Sequence, residues 1–203
     1  MSTLNSSKIL IVDVDGTLCP VDTLKILRMR WRLRKPFAIF APAQWRKNSK
    51  QTEKLMLWKY VGFGGSPVCY APVVEKMATW ISRGGQVIVV TGSATGLGQW
   101  ITSGLREIPT EVHGSDISVN LTKESKARFI KENFDVRSTT YIGDSLDDIH
   151  TWKIVDGAIV ILNSKTKKID FSTLQQNVEF IPQLSLFGRV KIFINLLLQP
   201  LAA

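Results

Sequence analysis

Residues 9–18, Ile-Leu-Ile-Val-Asp-Val-Asp-Gly-Thr-Leu, constrain the fold more than any other stretch of the chain. Four aliphatic residues in a row, Ile9 to Val12, have the pattern of a strand buried on both faces. Two carboxylates follow at once. Side chains alternate along a strand, so Asp13 and Asp15 project to the same side if strand geometry persists. Two anions held close repel each other unless a cation or a proton lies between them. Gly16 then frees the backbone to turn sharply. A buried strand that ends in paired acids and a glycine turn reads as the rim of an open α/β sheet, where ligands bind. The plain alternative is a solvated acidic turn after a strand.

The rest of the chain fits an α/β domain. Its 203 residues allow one domain, or one domain with a small insert. Runs at 86–93, 139–143 and 157–162, with a shorter one near Val112, predict further strands and a five-stranded parallel sheet. Helices are predicted over 24–35, ending before Pro36, and over 44–60, 71–83 and 98–105. Residues 114–120 suggest a small hairpin, and Gly62 to Pro67 a flexible loop. A helix is also expected after Lys123 and Lys126. The formal net charge of +9 implies an anionic partner: a phosphorylated substrate, nucleic acid or anionic lipid. Two cysteines give no disulfide framework and point to a reducing cytosol. Cys19 has no histidine near it in sequence and reads as a bystander. Residues 1–7 are polar and lack an apolar leader segment, which also fits a cytoplasmic protein.

Asp13-x-Asp15-Gly16-Thr17-Leu18 after a hydrophobic strand resembles the first motif of the haloacid dehalogenase superfamily, the aspartyl-phosphate phosphatases. Three further motifs follow in the order that superfamily keeps. The strand ending at Thr91-Gly92 resembles the second, Lys126 one turn into a helix the third (Lys123 also qualifies), and Gly143-Asp144-x-x-x-Asp148 the fourth. The resemblance spans Lys8 to about Leu162. It implies a Rossmann-like α/β core over 1–18 and 84–170, a small helical cap over 19–83 and a helical, apolar tail over 171–203. It also implies roles. Asp13 would be the nucleophile and Asp15 the acid and base. Mg²⁺ would be held by Asp13, the Asp15 backbone carbonyl and Asp144. Thr91, Gly92 and Lys126 would hold the substrate phosphate, with Thr17 and Asp148 supporting the site from behind. Asp22 would contact substrate, or else cap a helix. The second acid sets the chain apart from the dehalogenases, and the lack of Lys-Thr after the nucleophile sets it apart from the transport ATPases. A phosphatase is favoured, with a phosphomutase as the neighbouring activity. The segments Val12 to Leu18 with Asp22-Thr23-Leu24, Ser115-Asp116 with Asn120-Leu121-Thr122 and Lys126-Ala127, and Gly143-Asp144-Ser145 with Asp148 also resemble the phosphatase-like domain fused to UbiA-type prenyltransferases, which implies a polyprenyl-linked or other sugar phosphate at a membrane.

Two further readings rest on charge. Arg28, Arg30, Arg32, Arg34 and Lys35 with Trp31 would form a nucleic-acid surface on a binding module; the full set of catalytic residue types makes nucleic acid an unlikely partner. Basic residues between Lys25 and Lys54, interleaved with Trp31, Phe37, Phe40 and Trp45, match helices that lie in a lipid headgroup layer. The apolar run at 186–198 is shorter than the roughly 20 residues a membrane span requires. It fits an interfacial anchor, a contact for a membrane partner, or a last helix packed on the sheet. A peripheral position on the inner face of the membrane is the corresponding expectation.

Overall fold

The computed structural model describes residues 8–35, 41–105, 107–174 and 177–201. Phe37 and Phe40 of the basic stretch, and the polar residues 1–7, lie outside them. Among the described residues there is a six-stranded, all-parallel sheet in the order β3-β2-β1-β4-β5-β6. The strands are β1 (Ile9–Val12), β2 (Gln86–Ala94), β3 (Thr110–Ser115), β4 (Thr139–Gly143), β5 (Gly157–Leu162) and β6 (Asn177–Pro182). The chain builds outward from β1 in one direction, then returns to place β4 on its other side. The carboxyl ends of β1 and β4 therefore meet where the winding reverses, the place at which doubly wound sheets form a ligand crevice.

β1, β5 and most of β2 are apolar because helices cover both faces of the sheet. Leu10, Val12, Val87, Val89, Ile142, Ile159 and Ile161 point into one core cluster. Their alternates Ile11, Ile88, Val90, Tyr141, Ala158 and Val160 point into the other. Among the described residues eight α-helices flank the sheet: α1 (Thr23–Arg34), α2 (Ala41–Asn48), α3 (Lys50–Val61), α4 (Ala71–Ser82), α5 (Thr95–Thr102), α6 (Lys123–Asn133), α7 (Ile149–Trp152) and α8 (Leu186–Leu198). On the first face Val73, Met77 and Trp80 of α4, with Leu97 and Ile101 of α5, share the core with Ile26 and Leu27 of α1 and Leu57 of α3. On the second, Ile130 of α6 and Trp152 of α7 do so.

Four local expectations change. The sheet has a sixth strand, β6, parallel to β5, inside the segment expected to be a helical tail. The single helix over 44–60 is two, because Ser49 stops α2 and caps α3, accepting a hydrogen bond from Thr52 N at 2.9 Å. The helix expected over 98–105 begins at Thr95. Residues 116–119 form a turn organised by the Asp116 carboxylate, not a two-stranded hairpin.

The basic face of α1 is also not the open surface expected. Arg30 is fully buried. Its guanidinium donates to the carbonyls of Val61 and Gly62 at the end of α3, and of Leu196, Gln199 and Pro200 at the end of α8, at 2.7–2.9 Å. A helix end leaves carbonyls without partners, and one planar cation satisfies two such ends. Arg28 grips Glu53 with two hydrogen bonds of 2.8 and 2.7 Å, and Arg34 donates to Gln199 O. Trp31 is buried, 4.7 Å from the Trp45 ring. These residues fasten α1 to α3 and α8, so of the proposed nucleic-acid face only Arg32 and Lys35 stay exposed.

Candidate active site

The site assembles at the carboxyl ends of β1, β2 and β4. Asp13 follows β1 directly, its N–H donating to Ile142 O of the neighbouring strand at 3.0 Å. Its carboxylate lies 3.0 Å from Lys126 Nζ. Of the two candidate lysines, Lys126 is the buried one; Lys123 sits at the surface with Asp147 at 3.8 Å. Lys126 also donates to Tyr141 Oη at 2.8 Å and to Asp148 at 3.4 Å. Burial alone would lower its pKa, but the Asp13 and Asp148 carboxylates outweigh that and hold it above the ordinary lysine value.

Asp148 is tied down on every side. One oxygen accepts from Tyr141 Oη at 2.6 Å. The other accepts from Asp144 N, Ser145 N and Ser145 Oγ at 2.8–3.2 Å, forming a reciprocal cap on the short turn that follows β4. This fixes the backbone of Asp144. Asn163, at the end of β5, donates to the Asp144 carbonyl at 2.5 Å. Gly16 approaches Asp144 closely with φ of +76°, a conformation few side-chain-bearing residues adopt.

Asp13, Asp144 and Asp148 can each present an oxygen such that all three lie within 4.8 Å of one another. Burial, and then the neighbouring carboxylates, push Asp144 up to about 8. Burial likewise raises Asp13 to about 6 against the pull of Lys126. Packed oxygen donors that resist ionising together fit a divalent cation, which would offset their repulsion.

Asp15 lines the same cavity as Asp13 and is held by the start of α1 and the end of β2. Thr23, the first residue of α1, donates to it through N at 2.8 Å and Oγ1 at 2.5 Å. Ser93 Oγ donates to its second oxygen. Burial raises its pKa above the ordinary carboxylate value, against the effect of these hydrogen bonds.

The remaining sequence candidates fall as follows. Thr91 is buried, with Oγ1 accepting from Ser93 N at 3.1 Å. The Gly92 carbonyl accepts from Lys54 of α3 at 2.5 Å and from Ser115 Oγ at 2.9 Å. Thr17 is buried, and its Oγ1 has no partner among the described residues. Asp22 caps α1 by accepting from Lys25 N at 3.1 Å, and it also lines the cavity over the site. Cys19 is buried with its thiol pKa pushed up by burial, which suits a bystander.

No protein-family model and no curated protein matches the sequence. Solved structures do match. A predicted phosphoglycolate phosphatase from Haemophilus somnus is similar with a TM-score of 0.58 at 15% identity, over 86% of this chain and 94% of that one. A HAD family hydrolase from Salmonella enterica serovar Typhi gives 0.55 at 12%, over 95% and 72%. A phosphoserine phosphatase, solved as an analogue of its phospho-aspartyl intermediate, gives 0.53 at 15%, over 92% and 98%. The chain has the haloacid dehalogenase fold.

Within this fold, sequence reasoning missed Thr23, Ser93, Tyr141, Asn163 and Lys54. Ser93 carried a signal, since a hydroxyl residue was expected at the end of β2 and two stand there. Lys54 approaches Asp13 and Asp15 closely enough that their charges raise its pKa, against a larger lowering by burial.

Proposed function

We propose that this protein is a Mg²⁺-dependent phosphomonoester hydrolase acting through an aspartyl-phosphate on Asp13. The observation that carries this reading is the convergence on Asp13 of one buried ammonium, at 3.0 Å, and two further carboxylates from the β4 end. Phosphoryl transfer needs positioning and neutralised charge more than covalent chemistry from the protein.

In this reading an Asp13 oxygen attacks phosphorus as the bond to the ester oxygen breaks. Asp15 donates a proton to the leaving oxygen and later takes one from the water that attacks the aspartyl-phosphate. That water releases inorganic phosphate and regenerates Asp13. The upward shift that burial gives the Asp15 carboxyl suits a group that must hold and return a proton. Lys126, with Thr91 and Gly92 at the end of β2, holds the phosphoryl oxygens. Thr17 and Asp148 support them. Asp13, Asp144 and the Asp15 carbonyl would hold Mg²⁺, which supplies charge neutralisation at the transferred group. The α1–α3 layer serves as a cap, since its first residue, Thr23, holds Asp15 directly.

The substrate is a phosphorylated small molecule or a lipid-linked phosphate, met in the cytoplasm or at the inner face of the membrane. A phosphomutase would share the nucleophile but return the phosphoryl group to a second substrate. The test is phosphate release with Mg²⁺ across sugar, nucleotide, amino-acid and lipid phosphates, with Asp13→Asn as control. Release that requires both Mg²⁺ and Asp13 supports the reading; release unchanged in Asp13→Asn refutes it.

A further inference from the structure

The helix α8 divides its residues between two environments. Leu196 is buried and Phe193 partly so, on the side that meets the core. Leu186, Phe187, Val190, Ile194 and Leu198 are 46–81% exposed. At 3.6 residues per turn these five fall within an arc of about 120° and run for about 18 Å along the helix. Scattered exposed leucines need no explanation, but a continuous stripe marks an interaction surface. The helix carries no acidic residue. By the same geometry Lys191 borders one edge of the stripe and Arg189 lies beyond the other. Leu33 of α1, 63% exposed, belongs to the helix that Arg30 and Arg34 bind to the end of α8.

The stripe is continuous with the active site. A cavity of about 580 Å³ lies over Asp13, Asp15 and Asp144, and α8 forms part of its wall through Arg189, Val190 and Phe193. Val190 belongs to both surfaces. Lys25 and Lys165 add positive charge to the cavity lining, opposed by Asp22.

Building on the phosphatase reading, we propose that the exposed face of α8 docks on an anionic bilayer, and that the cleft admits a phosphomonoester carried at the end of an apolar chain. An apolar stripe bordered by basic residues, on a helix too short to span, is the pattern of a segment lying in the headgroup layer. No helix among the described residues is long and apolar enough to cross a membrane. A bilayer suits this face better than a protein partner because the stripe opens on the catalytic cavity. Docked there, the cavity meets the depth at which an amphiphile presents its phosphate. The chain of the substrate would leave past Val190 and Phe193 along apolar surface, with the phosphate in the cavity beside Asp13.

The test uses the full chain, wild type and the double variant Phe187→Ser/Ile194→Ser, with Lys191→Glu as a second variant. None of the three residues lines the cavity. Co-sedimentation is measured with vesicles of phosphatidylcholine alone and with added phosphatidylglycerol, at low and high salt. Wild type is expected to pellet with the anionic vesicles at low salt. Removing two apolar anchors lowers that partitioning by about tenfold or more. Reversing Lys191 lowers it by at least about fivefold. Hydrolysis of dodecyl phosphate in the vesicles is compared with that of para-nitrophenyl phosphate in solution. The double variant should lose the first and keep the second. Wild type left in the supernatant at low salt overturns the docking, as does a double variant that pellets like wild type, or a stripe found covered by a second copy in sedimentation velocity. If para-nitrophenyl phosphate is still cleaved in those cases, the phosphatase reading survives. If vesicles bind and no substrate releases phosphate, the phosphatase reading fails instead.

Discussion

Replacing Gly16 by alanine tests how the turn after β1 serves the site. Gly16 has φ of +76°, and a Cβ built there overlaps the Asp144 carboxylate, whose farther oxygen would be only 2.8 Å away. Non-bonded carbon atoms settle at about 3.5–4.0 Å, and the nearer oxygen lies closer still, so the Asp144 carboxylate must retreat by about 1.5 Å. Asp148 and Asn163 hold the Asp144 backbone in place, so the side chain must rotate away rather than shift with its strand. A displacement of this size in a positioned catalytic group costs about 100-fold in rate. The left-handed backbone adds about 1–2 kcal/mol of instability, a fall in Tm of about 2–8 °C for a chain of this size. Phosphate release at saturating and limiting Mg²⁺, with thermal melts by circular dichroism, reads both effects. The loss should exceed what unfolding explains and should shrink as Mg²⁺ is raised. An alanine variant with wild-type kcat/KM would refute the reasoning.

Lys126→Ala should lower kcat/KM by about 100-fold or more, as loss of an electrostatic group at developing charge does, while Lys123→Ala, at the surface, should change little; steady-state kinetics showing the reverse ranking would misplace the phosphate-binding lysine. Arg30→Met leaves buried carbonyls at the ends of α3 and α8 without donors, which should cost about 4 kcal/mol or more in urea unfolding; a loss below about 1 kcal/mol would mean the two helix ends are held by other contacts. Without metal, stability should fall as pH rises from about 4 to 8. The folded Asp13 and Asp144 titrate at about 6 and about 8 against an ordinary value of 3.8, so the folded state binds more protons in that window. Added Mg²⁺ should therefore raise Tm more at pH 8 than at pH 5, and a larger gain at pH 5 would contradict the assignment of these carboxylates to the metal.

The parts of the fold legible in the sequence are those fixed by short-range pattern. β1, β2 and β5 are mainly aliphatic runs because both their faces are covered, and Asp13, Asp144 and Lys126 stood out by the order of the motifs that carry the resemblance. β6 was not legible: Asn-Val-Glu-Phe-Ile-Pro at the sheet edge alternates and ends in a proline, with no sustained apolar run. The break between α2 and α3 falls at a serine within a charged stretch, where nothing but the cap marks it. Arg30 looked like one more surface cation, since its burial depends on the ends of two helices distant in sequence. Thr23, Tyr141 and Asn163 reach the site only through tertiary packing, and residue type alone does not single out a threonine, a tyrosine and an asparagine.

The central claim is that Asp13 carries the phosphoryl group, and acid quenching during turnover tests it most directly. The protein is mixed with para-nitrophenyl phosphate and Mg²⁺, quenched within the first turnover, digested, and mapped by mass spectrometry. The account predicts a phosphoryl group on Asp13 in the peptide containing Ile9 to Leu18, lost on treatment with hydroxylamine and absent from Asp13→Asn. A phosphoryl group on another residue, or phosphate release by Asp13→Asn at the wild-type rate, would contradict it.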